Sequence, residues 1–80
     1  MTNVASDARE FQVHARHVDR HHAHLVSETS FEAAAVAFVE DYPHEVGGEP
    51  EVSVVVRELA TGHEHCFKVD LGTGETEPCG

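Results

Sequence analysis

Apolar and polar positions alternate from Glu10 to Val18, with Phe11, Val13 and Ala15 on one side and Gln12, His14 and Arg16 on the other. A period of two with one apolar face predicts a half-buried strand. Asp19-Arg20-His21 predicts a turn. His22–Val26 alternates again, with Ala23 and Leu25 on one face. It is either a short second strand hairpinned to the first or an irregular lead into a helix; the alternation favours the strand. The period then changes. Phe31, Ala34, Ala35, Phe38, Val39 and Tyr42 recur at helical spacing, which predicts an amphipathic helix. Thr29-Ser30-Phe31-Glu32 has the form of a capping box, with Thr29 capping and Glu32 reaching back. Pro43 disfavours helical geometry at Tyr42 and stops the helix.

Beyond the helix, Pro43–Pro50 contains Gly47-Gly48 and predicts a loop. Glu51–Leu59 is valine-rich and predicts the most buried strand. Ala60-Thr61-Gly62 supplies a turn. His63–Leu71 alternates, with His65, Phe67, Val69 and Leu71 on one face and Cys66, Lys68 and Asp70 on the other. Residues 1–9 are expected to be a flexible lead, 10–72 a single domain and 73–80 a loose tail. The order β-(β)-α-β-β predicts an α+β, two-layer sandwich: a small, mostly antiparallel sheet of three to four strands under one helix. A chain of 80 residues buries a small core, worth about 3–5 kcal/mol net, so a partner, metal or crosslink can add stability without being required.

Charge narrows the range of partners. The net charge is -10 with histidine neutral and -2 with all eight histidines charged. Residues 1–24 balance three acids against three arginines, whereas residues 25–80 set twelve acids against Arg57 and Lys68. Such a chain should repel nucleic acid and anionic lipid. No apolar stretch reaches the length of a membrane span. The segment MTNVASDARE lacks the apolar core of a signal peptide, so the cytoplasm is the expected location. Two cysteines, Cys66 and Cys79, fit a reducing compartment.

The densest candidate chemistry is a run of histidines: His14, His17, His21, His22 and His24 fall within eleven residues. His17, Asp19 and His21 offer imidazole and carboxylate donors that suit Zn or Ni. Their spacing matches no zinc signature, and solvated hairpin positions are the simpler reading. The same run could respond to pH, since histidine titrates near neutrality. His63 and His65 would share one side of a strand and could chelate a metal, with Cys66 on the opposite side. A Cys66–His nucleophile would need a base from a neighbouring strand and a cleft; enzymatic activity is not expected. A Cys66–Cys79 disulfide would pin the tail to the sheet, but a cytoplasmic location argues against it. Gly72-Thr73-Gly74 lacks the helix and lysine of a phosphate loop.

Two stretches together resemble a known group. Ser30-Phe31-Glu32-Ala33-Ala34-Ala35 running to Phe38-Val39-Glu40-Asp41, and Thr61-Gly62-His63-Glu64-His65-Cys66-Phe67 running to Asp70-Leu71 and Thr73-Gly74-Glu75, resemble a family of short bacterial proteins classed as a domain of unknown function. The likeness covers most of residues 10–80. It implies a compact domain in a bacterial cytoplasm and carries no catalytic residues. More distantly, the strand–strand–helix–strand order and the SFEAA helix start resemble small antitoxin domains of the HicB type, which usually add a DNA-binding segment that this chain lacks. The expected function is a non-catalytic module that binds a protein partner, with a second copy of itself as one candidate. Metal binding or pH response through the histidines is the alternative.

Overall fold

Valine packs well on a pleated surface, and β3 (Glu51–Glu58) is built on it. Val52, Val54 and Val56 are buried, while Ser53, Val55 and Arg57 alternate to the other side. The structure is a computed structural model that describes residues 8–18, 20–45 and 50–79. In it β3 pairs with β1 (Arg9–Ala15) on one side and β4 (Glu64–Asp70) on the other. Next to β1 lies β2 (His24–Glu28), and next to β4 lies β5 (Thr76–Pro78). All neighbours are antiparallel, in the order β2-β1-β3-β4-β5.

β2 and β3 both run antiparallel to β1 and therefore parallel to each other. Parallel strands cannot be joined by a tight hairpin. The helix α1 (Phe31–Asp41) fills that connection and crosses β1 as it does so. It packs against β1, β2, β3 and β4, burying Ala34, Ala35, Phe38 and Val39. These meet Phe11, Val13 and Ala15 of β1, Val26 of β2, the β3 valines, and Phe67 and Val69 of β4 in one core. The result is α+β, with one helix on one face of a five-stranded antiparallel sheet.

Ser30, not Thr29, caps the helix: its backbone is extended and its hydroxyl accepts from the Ala33 N–H at 3.0 Å. The Thr29 carbonyl instead accepts from Arg9 Nη2 at 2.8 Å. A hydroxyl one residue further along reaches the third amide of the helix, so the cap shifts by one. Tyr42 ends the helix in a non-helical conformation, its N–H still bonded to the Phe38 carbonyl. A short 3-10 turn, Pro43–Glu45, follows. Of the expected glycine loop, residues 46–49 lie outside the described residues, as do residues 1–7 of the expected lead.

Three strand expectations change. β1 stops at Ala15, because Val18 N–H folds back onto the Ala15 carbonyl in a turn. The second strand exists but is shifted to His24–Glu28 and faces the other way: Val26 is buried and Leu25 is 59% exposed. Its register sets Val26 opposite Phe11 and His24 opposite Val13, which sends those two under the helix. The sheet has five strands where three to four were expected, because the loose tail is paired. Thr76, Glu77 and Pro78 lie opposite Val69, Lys68 and Phe67.

The turns before β4 and β5 are built alike. Glu58-Leu59-Ala60-Thr61-Gly62 and Asp70-Leu71-Gly72-Thr73-Gly74 share an acid, a leucine, a threonine and a final glycine. In each, the glycine N–H returns to the acid's carbonyl, at 2.7 Å in both. Gly62 and Gly74 have φ of +80° and +81°, a conformation that costs glycine little and other residues much. The sequence thus announces the second hairpin by repeating the first.

The cap makes a direct prediction. Ser30→Ala is expected to cost about 1 kcal/mol of stability in urea unfolding, and Thr29→Ala clearly less. A larger loss for Thr29→Ala than for Ser30→Ala would return the cap to Thr29.

Candidate functional site

The alternation that builds the core also defines the opposite face of the sheet. Gln12 and His14 of β1, Ser53, Val55 and Arg57 of β3, and Glu64, Cys66 and Lys68 of β4 turn away from the helix. Leu25 joins them from β2, opposite Gln12. Gln12, His14, Ser53, Val55 and Lys68 are only half exposed, because neighbouring side chains shield one another. A shallow depression of about 20 Å³ lies among Gln12, His14, Ala23, Val55, Arg57 and Glu64. Arg57 and Glu64 sit opposite each other across β3 and β4. His14 Nδ1 lies 2.8 Å from the Ala15 carbonyl oxygen, which can only accept, so Nδ1 carries the hydrogen.

The histidine run, close in sequence, divides in space. His14 lies on the open face and His24 on the helix face. The His24 ring stacks on Tyr42 at 3.9 Å, nearly parallel, and lies 5.9 Å from Phe38. His17 is exposed on the turn after β1, and His21 and His22 are exposed on a 3-10 turn, Arg20–His22. Asp19 lies outside the described residues. His21, His22 and His24 line an open cavity of about 500 Å³ with Val18 and Ala23. Among the described residues, no three His, Cys, Asp or Glu side chains are grouped to hold a metal ion.

His63 sits in the turn before β4, where its N–H donates to Thr61 Oγ1. His65 is on β4, its ring edge-on to Phe31 at 4.4 Å. Phe31 in turn meets Phe11 at 5.0 Å, with the Arg9 guanidinium 5.8 Å above the Phe31 ring. This corner holds a polar feature that the sequence pattern did not single out. Glu58 continues the inward alternation of β3 and is only 6% exposed. Arg9 Nη1 donates to its Oε2 at 3.1 Å and Thr61 Oγ1 donates to its Oε1 at 3.0 Å. A buried carboxylate needs such partners, and among the described residues no buried side-chain polar atom lacks one. Arg9 opens β1 rather than ending a flexible lead, and an acid at an inward position of a valine strand is the sequence signal for its partner.

A further cleft of about 400 Å³ separates the end of α1 from the β4–β5 turn, with Val36, Val39, Pro43 and Leu71 as apolar walls and Glu40 and Asp70 at its edge. Asp70 Oδ1 is engaged by the N–H groups of Gly72 and Thr73. The two cysteines form a disulfide across the β4–β5 pair, with Cα atoms 5.3 Å apart. Cys79 N–H also donates to the Cys66 carbonyl at 2.9 Å. Pairing wins over the free thiols expected because the second hairpin brings Cys79 opposite Cys66.

One family model matches residues 9–80, from the first residue of β1 through both cysteines. The chain belongs to the family of unknown function DUF5961. No curated protein and no solved structure matches it. The match agrees with the resemblance drawn from the helix start and the Thr61–Glu75 stretch. In this member of DUF5961, no helix among the described residues is long and apolar enough to cross a membrane.

The disulfide closes a loop between residues 13 apart in sequence. A loop of about that length is worth roughly 3 kcal/mol on the chain-entropy model. Reduction, or Cys79→Ser, is expected to lower stability by about that amount and to speed hydrogen exchange at the Cys79 amide while β1–β3 amides stay protected. Uniform loss of protection across the sheet would mean that β5 does not open separately.

Proposed function

We propose that this DUF5961 member is a non-catalytic protein-interaction module whose contact surface is the sheet face away from the helix. The observation that carries the reading is the make-up of that face. Val55 and Leu25 offer apolar contact, and Gln12, His14, Arg57 and Glu64 surround Val55. An apolar centre within a polar rim is the usual anatomy of a protein interface. Ten units of net negative charge weigh against nucleic acid and anionic membranes. A bacterial cytoplasm remains the proposed location, although Cys66–Cys79 pulls against it, since structural disulfides persist mainly in oxidising compartments.

A charge at the centre of this face tests the reading. In quantitative affinity capture, Val55→Glu is expected to reduce partner recovery by about tenfold or more, a loss of about 1.4 kcal/mol or more. Glu40→Lys, on the helix, is expected to leave recovery unchanged. Circular dichroism checks that both variants fold. Equal capture by wild type and Val55→Glu sinks the proposal.

A second reading has an observation of its own: His21, His22 and His24 line one cavity. On this reading Zn or Ni draws these histidines together, with His17 and Asp19 as further donors by sequence, and His63 with His65 as a separate pair. In an NMR titration with zinc, the ring signals of His21, His22 and His24 would move together and saturate near one equivalent, and His21→Ala/His22→Ala would abolish the change. No movement at a few equivalents would remove this reading.

A further inference from the structure

We infer that the chain forms a two-fold homodimer by antiparallel pairing of β2 with β2 of a second copy, joining two five-stranded sheets edge to edge. The inference goes beyond the open-face reading: it names a second contact surface, the β2 edge, and its partner.

The backbone directions on β1 establish which groups of β2 are unused. The Glu10 carbonyl accepts from Leu59 N–H, and Arg16 N–H donates to the Ser53 carbonyl. Even-numbered residues of β1 therefore turn their backbone groups toward β3. Odd-numbered residues turn theirs toward β2, where Phe11 faces Val26 and Val13 faces His24. On β2, His24, Val26 and Glu28 thus spend their amides and carbonyls on β1. Leu25 and Ser27 direct theirs out of the sheet, and no hydrogen bond among the described residues meets them. Both residues are exposed.

Natural sheets protect such edges with proline, lysine, bulges or very short strands. The other edge is protected: β5 has three residues, includes Pro78 and is tied down by Cys66–Cys79. β2 (HLVSE) carries none of these devices. Among the described residues, one edge is closed and the other is left open.

Pattern and charge point to a second copy as the occupant. In a two-fold antiparallel register centred on Val26, Leu25 of each chain lies opposite Ser27 of the other. Each such pair exchanges two hydrogen bonds, so four bonds form and all four outward groups on each strand are used. The same register sets Glu28 opposite His24 of the second chain. A parallel arrangement would set Glu28 against Glu28, and like charges directly opposite are destabilising.

Sedimentation equilibrium and hydrogen exchange on the full chain, from micromolar to millimolar, test the inference. Expected are a dimer mass, and protection of the Leu25 and Ser27 amides that rises with concentration. Ser27→Pro, which removes one outward donor without touching the β1 pairing, is expected to be monomeric with an unchanged circular dichroism spectrum. Should that variant unfold, the concentration dependence of the wild-type amides still decides. A monomer throughout overturns the dimer. So does a dimer whose Leu25 and Ser27 amides exchange freely, which would mean assembly through another surface. Neither result touches the open-face reading, which stands or falls on Val55→Glu.

Discussion

The valines of β3 lie beneath Phe38 and the alanines of α1, and the other elements depend on that contact. β3 is the only strand with one flank on β1 and the other on β4, so its burial anchors both halves of the sheet. Val54 and Val56 are fully buried, as are Ala34, Ala35 and Phe38. The small alanines let the helix come close to the sheet, and Phe38 fills the space between them. One helix can then cover four strands, but only on one face. The composition of the other face follows from that economy.

The crossover explains the positions of the polar groups. Because α1 passes over β1, the end of the sheet at Glu58 comes beside the start of the helix. There Arg9 spans both, bonding the buried Glu58 carboxylate and the Thr29 carbonyl. The partly exposed guanidinium keeps contact with water, so this pair is better read as satisfying a buried acid than as a large source of stability. At the other end, His24 is drawn inward onto Tyr42 because its strand register places it opposite Val13. Five histidines that look like one cluster along the chain therefore serve three places: the open face, the turn and the core margin.

The two sheet edges are treated differently. The β5 edge is closed by its short length, a proline and a disulfide, whereas among the described residues nothing covers the outward backbone groups of β2. For a small domain with a limited core, association is an economical source of stability, because it buries more surface without lengthening the chain. An open face and an open edge on the same molecule can be used at once, since pairing at β2 leaves Val55 and its surroundings free.

Much of this was legible along the chain. The period of two in residues 11–15 and 52–56, and the helical period from Phe31 to Val39, report which side of each element avoids water. Periodicity and turn chemistry are local, and they located the helix, its stop at Pro43, the Gly62 hairpin and the family resemblance. The facing of β2 escapes the local pattern because Leu25 is more hydrophobic than His24, whereas the ring of His24 gains a stacked partner, Tyr42, that no local pattern contains. The fifth strand is not legible as a strand: the acid-Leu-x-Thr-Gly turn repeats ahead of it, but three residues with a proline carry almost no strand signal of their own. Strand order, the Arg9–Glu58 pair and the meeting of Cys66 with Cys79 join residues distant along the chain. Those pairings depend on which backbone edges remain unsatisfied after the core has closed, and that only the folded sheet could settle.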